Sequence, residues 1–554
     1  MLYFPSDHKE TGELRVADRW DYIIVGAGSA GCVLAERLSA DGRHKILLLE
    51  AGGDDSNPLI HMPKGIGKLA LNPRHAWHYQ VDQRRLPDVP STESWVRGKG
   101  LGGSSSINGM IYVRGQPEDY DEWARRGATG WGWSEMKEAF QAIEDHELGS
   151  GEGRGVGGPL HISSGTYRYP LAEAMIRAGE QMGLRRKEDL NTEDQEGIGY
   201  YSHNIKNGRR QSASVAFLRP ARKRDNVRVI TNVRVDRILF DGERATGVEA
   251  TVSGQPTRFD VSGEVILAAG AVVSPMILQR SGVGPGAVLS AAGVDVLADR
   301  AAIGRHMRDH LGISLPHRLR GAAGNNREFR GLGLIKNVLR YYLTHTGPMA
   351  TGPYEVGAFV RSHADAPRPD LQIFWSAFTF KRVTNANVPV QLSAVDDEPG
   401  MTIYGQMVGL TSEGSVEISA ADPDAPPVIK PNWLTTPEDV QTGVASVRYM
   451  RRILQQGAIA PYVGEELLPG RSYQSDAEIE KALRLFGRCG THATGSCGMG
   501  GPDAALDPEL RVRGVDGVRV VDCSSMPALI SGNTNGPAMA LGWRAAKIIQ
   551  RGRN

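Results

Sequence analysis

The sequence predicts an α/β protein in which a doubly wound dinucleotide-binding domain is interrupted by a second domain. Three observations carry this. Residues 20–53 read as strand, glycine loop, helix and strand. A middle block around 226–285 and the last segment, a strand at 517–522 and a helix at 537–551, return to the same α/β texture. Between them, residues 310–470 change to mixed strands and loops. The C-terminal strand–loop–helix is too small to stand alone, so the two ends and the middle block are read as one domain. The assignment is 20–158, 201–305 and 485–554 for the first domain, 159–200 and 306–484 for the second, and 1–19 as an arm.

The first unit runs from Tyr22-Ile-Ile-Val-Gly-Ala-Gly-Ser-Ala-Gly31 to a second apolar strand that ends at Glu50. Gly26 permits the tight turn, Gly28 lets backbone approach a pyrophosphate, and Gly31 lets helix and strand pack closely. The helix N-terminus offers free N–H groups to phosphate. Glu50 lies about 20 residues past the loop, where an acid can bind a ribose hydroxyl. Residues 54–115 show little helical periodicity, and an irregular stretch that long in a compact domain is usually functional. Residues 117–145 are predicted helical, with Trp123, Met136, Phe140 and Ile143 on one apolar face. The glycine-rich run 148–158 follows no strand and lacks a Gly-Lys-Ser ending, so it is read as a flexible surface excursion. Strands are predicted at 227–231, 233–240, 246–252, 265–268, 370–375 and 414–419, and helices at 271–280 and 437–456.

With 554 residues and a net charge of +1, the chain can bury a large core and presents no strong electrostatic face. Nucleic acid is therefore not expected as a partner. No apolar run reaches transmembrane length, and residues 1–19 carry no secretory apolar core, which makes the cytoplasm the default location. The 4 cysteines, Cys32, Cys489, Cys497 and Cys523, match no disulfide framework and no zinc spacing, so no metal is expected.

Five segments carry a resemblance. They are the Gly26–Gly31 loop with Glu50-Ala-Gly-Gly53; Arg97-Gly-Lys-Gly-Leu-Gly-Gly-Ser-Ser-Ser-Ile-Asn108; Gly270-Ala-Val-Val-Ser-Pro-Met-Ile-Leu-Gln-Arg-Ser-Gly-Val-Gly-Pro285; Asp309-His310; and the C-terminal pair His492-Ala-Thr-Gly-Ser-Cys-Gly-Met-Gly500 and Val520-Val-Asp-Cys-Ser-Ser-Met-Pro-Ala-Leu-Ile-Ser-Gly-Asn-Thr-Asn-Gly-Pro537. In this order they are similar to the glucose–methanol–choline (GMC) flavin oxidoreductases over nearly the full chain. The likeness is greatest to the bacterial branch with choline- and polyethylene glycol-type alcohol dehydrogenases.

The resemblance implies FAD, a Rossmann-like FAD-binding domain, and an inserted α+β substrate domain built on an antiparallel sheet. By position, Gly26, Gly28, Ser29 and Gly31 would meet the pyrophosphate. Glu50, with Ala51 beside it, would meet the adenosine ribose, and Val233 would hold adenine through its backbone. Arg97, Gly102, Gly103, Asn108 and Gly109 would line the flavin side, with Asp522 and Asn533 near the other end of the cofactor. The implied activity is oxidation of an alcohol, primary by preference, to the aldehyde, with electrons passing to oxygen or another acceptor. A lyase or photodecarboxylase on the same scaffold is the alternative within the family; an NAD-dependent dehydrogenase or a non-catalytic nucleotide binder is the alternative outside it.

His492 would take the hydroxyl proton, since an imidazole titrates near neutral pH. Asn533 would orient the substrate oxygen, because an amide does not titrate; it could also cap the following helix. His310 is read as structural. Where some relatives carry a flavin-linking histidine, this chain has Ile107, which implies non-covalent FAD. Choline-active relatives carry a histidine two residues before a glutamate; here the stretch is Pro353-Tyr354-Glu355. Glu355, Tyr354 and Trp375 are the candidate substrate contacts, with Phe378 and Phe380 as further wall. A structural hydrogen bond for Glu355 and a core position for the aromatics stay open. The oligomeric state is not legible.

Overall fold

The computed structural model describes residues 19–82, 92–151, 153–165, 167–381 and 394–552. The arm expected at 1–19 lies outside them, save Arg19.

The first sheet has a parallel core. Trp20–Val25 pairs with Ile46–Glu50 on one side and with the end of Gln255–Leu267 on the other. Val227–Thr231 extends the sheet beyond Ile46–Glu50, and Val518–Val520 pairs in parallel with residues 265–267. Ile23, Ile24, Leu47, Leu48 and Leu49 are fully buried, as expected of strands covered on both faces. The strand order reverses beside Trp20–Val25, the place where open α/β sheets bind ligands at their carboxyl ends. Gly26 and Ala268 sit at that crevice. The C-terminal helix Asn535–Arg551 packs on Ser29–Leu38, with Gly542 so close that a Cβ there would lie 3.1 Å from the Ala30 carbonyl oxygen. This contact ties the last segment to the first.

The strand expected at 265–268 extends back to Gln255, because its first half pairs antiparallel with Arg244–Val252. That strand in turn pairs with Val233–Asp241. The helix expected over 117–145 is two helices, Pro117–Arg125 and Trp133–Ile143. Gly127 and Gly130 between them adopt φ of +89° and +83°, outside helical space. The apolar face survives the break: Trp123, Met136, Phe140 and Ile143 are all fully buried. Residues 54–115 hold a hairpin that periodicity did not reveal, Ala76–Asp82 against Thr92–Gly98. The run 148–158 is not simply an excursion, since Gly155 N–H donates to the buried Glu144 carboxylate and a Cβ at Gly155 would lie 2.0 Å from the Gln141 oxygen.

Among the described residues the second sheet has eight strands. Its middle is antiparallel: Leu311–Leu319, Gly400–Met407, Leu371–Ser376, Val356–Val360 and Gly197–Tyr200 lie side by side. Arg488–Cys489 pairs with Leu311 and Gly312 at one end. The two largest buried apolar clusters among the described residues lie one around each sheet.

Candidate active site

A cavity of about 1560 Å³ runs from the glycine loop to the edge of the second sheet. It exceeds the roughly 300–1,000 Å³ of an ordinary small-molecule pocket, so it has room for a large cofactor together with a substrate. Gly26, Gly28, Ser29, Glu50, Ala51, Val233, Arg97, Gly103, Asn108, Gly109, Asp522, Asn533 and His492 all line it. Gly31 and Gly102 do not; they act from behind.

The glycines meet their expected physical demands. Gly26 has φ +102°, and a Cβ there would lie 2.6 Å from the Ala268 oxygen. A Cβ at Gly31 would lie 2.0 Å from the Gly26 oxygen, and one at Gly103 2.8 Å from the Gly28 Cα. The two glycine loops therefore touch, leaving bare backbone toward the cavity. The helix that starts at Ser29 has no side-chain cap and no acid in its first turn, which leaves its N–H groups suited to an anion. This donor set fits the diphosphate of a dinucleotide such as FAD.

Two carboxylates in the cradle do more than expected. Glu50 accepts backbone N–H groups from Ala27 and Gly52 at 2.8 Å each and from Gly100 at 3.0 Å. It thereby stitches the glycine loop to residue 100 as well as facing the cavity; burial pushes its carboxyl up, and these three donors pull it back. Asp522 accepts from Gly270 N–H, Ser274 hydroxyl and both Ser524 donors. It anchors the start of the helix Gly270–Arg280. Arg97 lies 3.5 Å from Asp309, and Asn108 takes a hydrogen bond from Arg210 at 2.7 Å.

At the other end, five chain regions meet. The segments 308–310 and 490–494 run antiparallel, with Gly490 N–H donating to the His310 oxygen at 2.7 Å and Thr494 N–H to the Arg308 oxygen at 2.8 Å. Gly490 has to be small, because a Cβ there would lie 2.7 Å from the His310 Cβ. His492 N–H also donates to Asp309 at 2.8 Å. Gln372 and Gln406 are direct partners across neighbouring strands, and Asn533 comes from the loop before the last helix.

The hydrogen bonds among these side chains determine where protons sit. His310 Nε2 lies 2.9 Å from the Ile530 carbonyl, which only accepts, so Nε2 carries the proton. Neutral His310 then has a bare Nδ1, 3.0 Å from His492 Nδ1. The His492 proton therefore sits on Nδ1, and its Nε2 keeps a lone pair. Asn533 Nδ2–H, 3.1 Å away, donates to that lone pair, while Gln372 donates to Asn533 Oδ1 at 3.0 Å. The Gln406 amide lies 2.9 Å from His492 Nδ1 through its Nε2 position; a half-turn of the amide presents Oε1, as a protonated Nδ1 requires. Burial holds His310 down at about 4. Burial first, then His310 and Arg97, hold His492 well below its usual range. Both rings are thus neutral at pH 7. Burial pushes the Asp309 carboxyl up to about 6 against the pull of Arg97.

His310, read as structural, bonds the Ile530 carbonyl and also contacts the His492 ring directly. The cap alternative for Asn533 falls away, because Thr534 is the N-cap residue and the Asn533 side chain turns to His492. Trp375 is corrected as well: it is fully buried, stacked on Tyr169 at 6.3 Å, and does not line the cavity. Tyr354, Phe378 and Phe380 do line it. Glu355 lies just behind the wall, 3.6 Å from Lys64 Nζ and accepting from Tyr169 at 3.1 Å. The sequence reading missed Gln372, Gln406 and Lys64; a glutamine inside an apolar strand run was the only signal for the first. Among the described residues no group of side chains could hold a metal ion and no helix is long and apolar enough to cross a membrane.

GMC oxidoreductase is the family that matches, over residues 20–312 and 411–542. The mitochondrial choline dehydrogenase of Homo sapiens is 38% identical over 96% of this chain and 90% of the human protein. The alcohol dehydrogenase [acceptor] of Pseudomonas putida is 37% identical over 96% of each chain. Among solved structures, pyridoxine 4-oxidase from Mesorbium loti superposes with a TM-score of 0.85 at 32% identity, covering 97% of this chain and 100% of that one. The chain belongs to the GMC oxidoreductase family.

Proposed function

We propose that this GMC oxidoreductase holds FAD without a covalent link and oxidises a primary alcohol to the aldehyde, with His492 as base and Asn533 as the group that orients the oxygen. One observation carries the reading. The lone pair of His492 Nε2 faces the Asn533 amide in the wall of the same cavity that the glycine loops line. A base beside a hydrogen-bond donor is what deprotonation of an alcohol needs.

FAD, when bound, supplies the hydride acceptor. The remaining work falls to the chain. His492 Nε2 takes the hydroxyl proton, and Asn533 N–H turns to the oxygen as charge develops there. Gln372 holds the Asn533 amide in the donating orientation, and His310 keeps the His492 proton on Nδ1. Gly26, Gly28 and Ser29 would hold the pyrophosphate, with Gly31 packed behind them; Glu50 and Ala51 would take the ribose, Val233 the adenine, and Arg97, Gly103, Asn108, Gly109 and Asp522 the flavin side, with Gly102 behind that wall. Ile107, at the cavity wall, offers no atom for a covalent tether. The domain division at 20–158, 201–305 and 485–554 against 159–200 and 306–484 belongs to the same proposal.

The test is anaerobic reduction of the purified yellow protein by a panel of alcohols, followed by reoxidation with either oxygen or a dye. Bleaching by an alcohol supports the reading, and the faster acceptor separates dehydrogenase from oxidase. A colourless protein that gains nothing from added FAD, or a flavin that no alcohol reduces, overturns it.

A further inference from the structure

Lys64 is an unexpected residue for the wall of a pocket whose relatives include a choline dehydrogenase. Its side chain is 9% exposed and that of Glu355 5%, and the two charged groups stand 3.6 Å apart. The ammonium also donates to the Gly352 carbonyl. It sits over two aromatic rings, 5.0 Å from the centre of Phe329 and 5.6 Å from that of Phe378. Glu355 accepts a further hydrogen bond from Tyr169.

We propose that the Lys64–Glu355 pair makes this site select an uncharged primary alcohol with an apolar body and reject a quaternary ammonium alcohol. The inference rests on the alcohol-oxidation reading above. A trimethylammonium group is held by carboxylates and by aromatic faces. Here Lys64 uses both, since it neutralises Glu355 and occupies the faces of Phe329 and Phe378. Whichever partner keeps the proton, the buried pair has no net charge. Asp397, an exposed acid of the same wall, gives no opening either, since it lies between Arg330 and Lys381. Leu334, Val338, Tyr342, Met349, Pro353 and Tyr354 make the rest of this wall largely apolar.

The experiment compares choline with 3,3-dimethyl-1-butanol, which has the same shape without the charge. Two readouts are taken: anaerobic flavin reduction, and titration of the flavin absorbance by each compound. The wild-type protein should prefer the uncharged alcohol by about 100-fold in kcat/KM, the scale on which a lost cation–π site and the desolvation of an unpaired cation together discriminate. In Lys64→Met the carboxylate and both rings become free, and the preference should fall by about 10-fold or more. Glu355→Gln should move the opposite way: Lys64 is left unbalanced, choline is used less, and 4-hydroxybutyrate gains. If Lys64→Met does not fold, Glu355→Gln alone carries the sign test. Equal use of the two alcohols by the wild type, or a ratio that neither variant moves, overturns the proposal. Should no alcohol reduce the flavin, the oxidation reading fails separately. The titrations then decide this one, with tighter binding of the uncharged compound supporting it and equal or weaker binding overturning it.

Discussion

The proton arrangement at His492 predicts that two conservative replacements of His310 behave differently. Asparagine places its Oδ1 where the imidazole has Nδ1, so His310→Asn still accepts from His492 Nδ1–H but loses the bond to Ile530. Glutamine places its amide N–H where the ring has Nε2, so His310→Gln keeps Ile530 satisfied but offers His492 no acceptor from this side. The two ring contacts at issue are 3.0 Å and 2.9 Å long. A buried N–H left without a partner costs roughly 1–3 kcal/mol. That penalty falls on the reactive tautomer and shifts His492 toward the form protonated at Nε2, which cannot act as a base. Each 1.36 kcal/mol is tenfold, so the full range is about 5- to 150-fold. Gln406 can still accept the Nδ1 proton, which places the expected loss for His310→Gln near 10-fold in the rate of anaerobic flavin reduction. His310→Asn should stay within about 3-fold in that rate and pay instead in stability, by about 1–3 kcal/mol for the bared Ile530 carbonyl. Stopped-flow reduction by a saturating alcohol, together with urea unfolding, measures both. Equal rates in the two variants, or a slower asparagine variant, would refute the tautomer argument.

Four other predictions concern the same elements. His492→Ala should keep its bound FAD and lose about 10²–10⁴-fold in flavin reduction, the usual contribution of a general base; the flavin-to-protein ratio and the reduction rate separate the two effects. Gly31→Ala forces a Cβ to within 2.0 Å of the Gly26 oxygen, so the loop must shift; a loss of roughly 1–3 kcal/mol should come with weaker FAD retention, read from the flavin-to-protein ratio after gel filtration. Acid precipitation should leave the flavin in the supernatant, and a yellow pellet would contradict the role given to Ile107. His310 takes a proton near 6.5 when unfolded and at about 4 when folded. Its contribution is therefore fully present above 6.5 and is lost as pH falls toward 4, up to about 3 kcal/mol. The stability gap between wild type and His310→Asn should accordingly shift against the wild type by about 2 kcal/mol from pH 7 to pH 5, measured by urea unfolding at each pH.

The sequence by itself determined what depends on local chemistry. The Gly26–Gly31 loop could be read because a turn, a close backbone approach and a tight helix–strand contact each demand glycine within a few residues. The buried parallel strands announced themselves as unbroken apolar runs. The helix over 117–145 was legible as a face but not as a length, because the interruption is set by two glycines with positive φ rather than by any change in period. The cradle and the pair His492 and Asn533 were likewise marked by short motifs. What only the tertiary structure decided is how distant groups share protons and charge. His310 and His492 meet because two segments about 180 residues apart lie antiparallel and Gly490 lets them close. Gln372 and Gln406 reach the site through strand register, and Lys64 reaches Glu355 across a gap of nearly 300 residues. Electrostatics and hydrogen bonding act over a few ångströms of space and take no account of separation along the chain. The proposed base could therefore be named from a motif, while its tautomer and the charge of the pocket beside it could not.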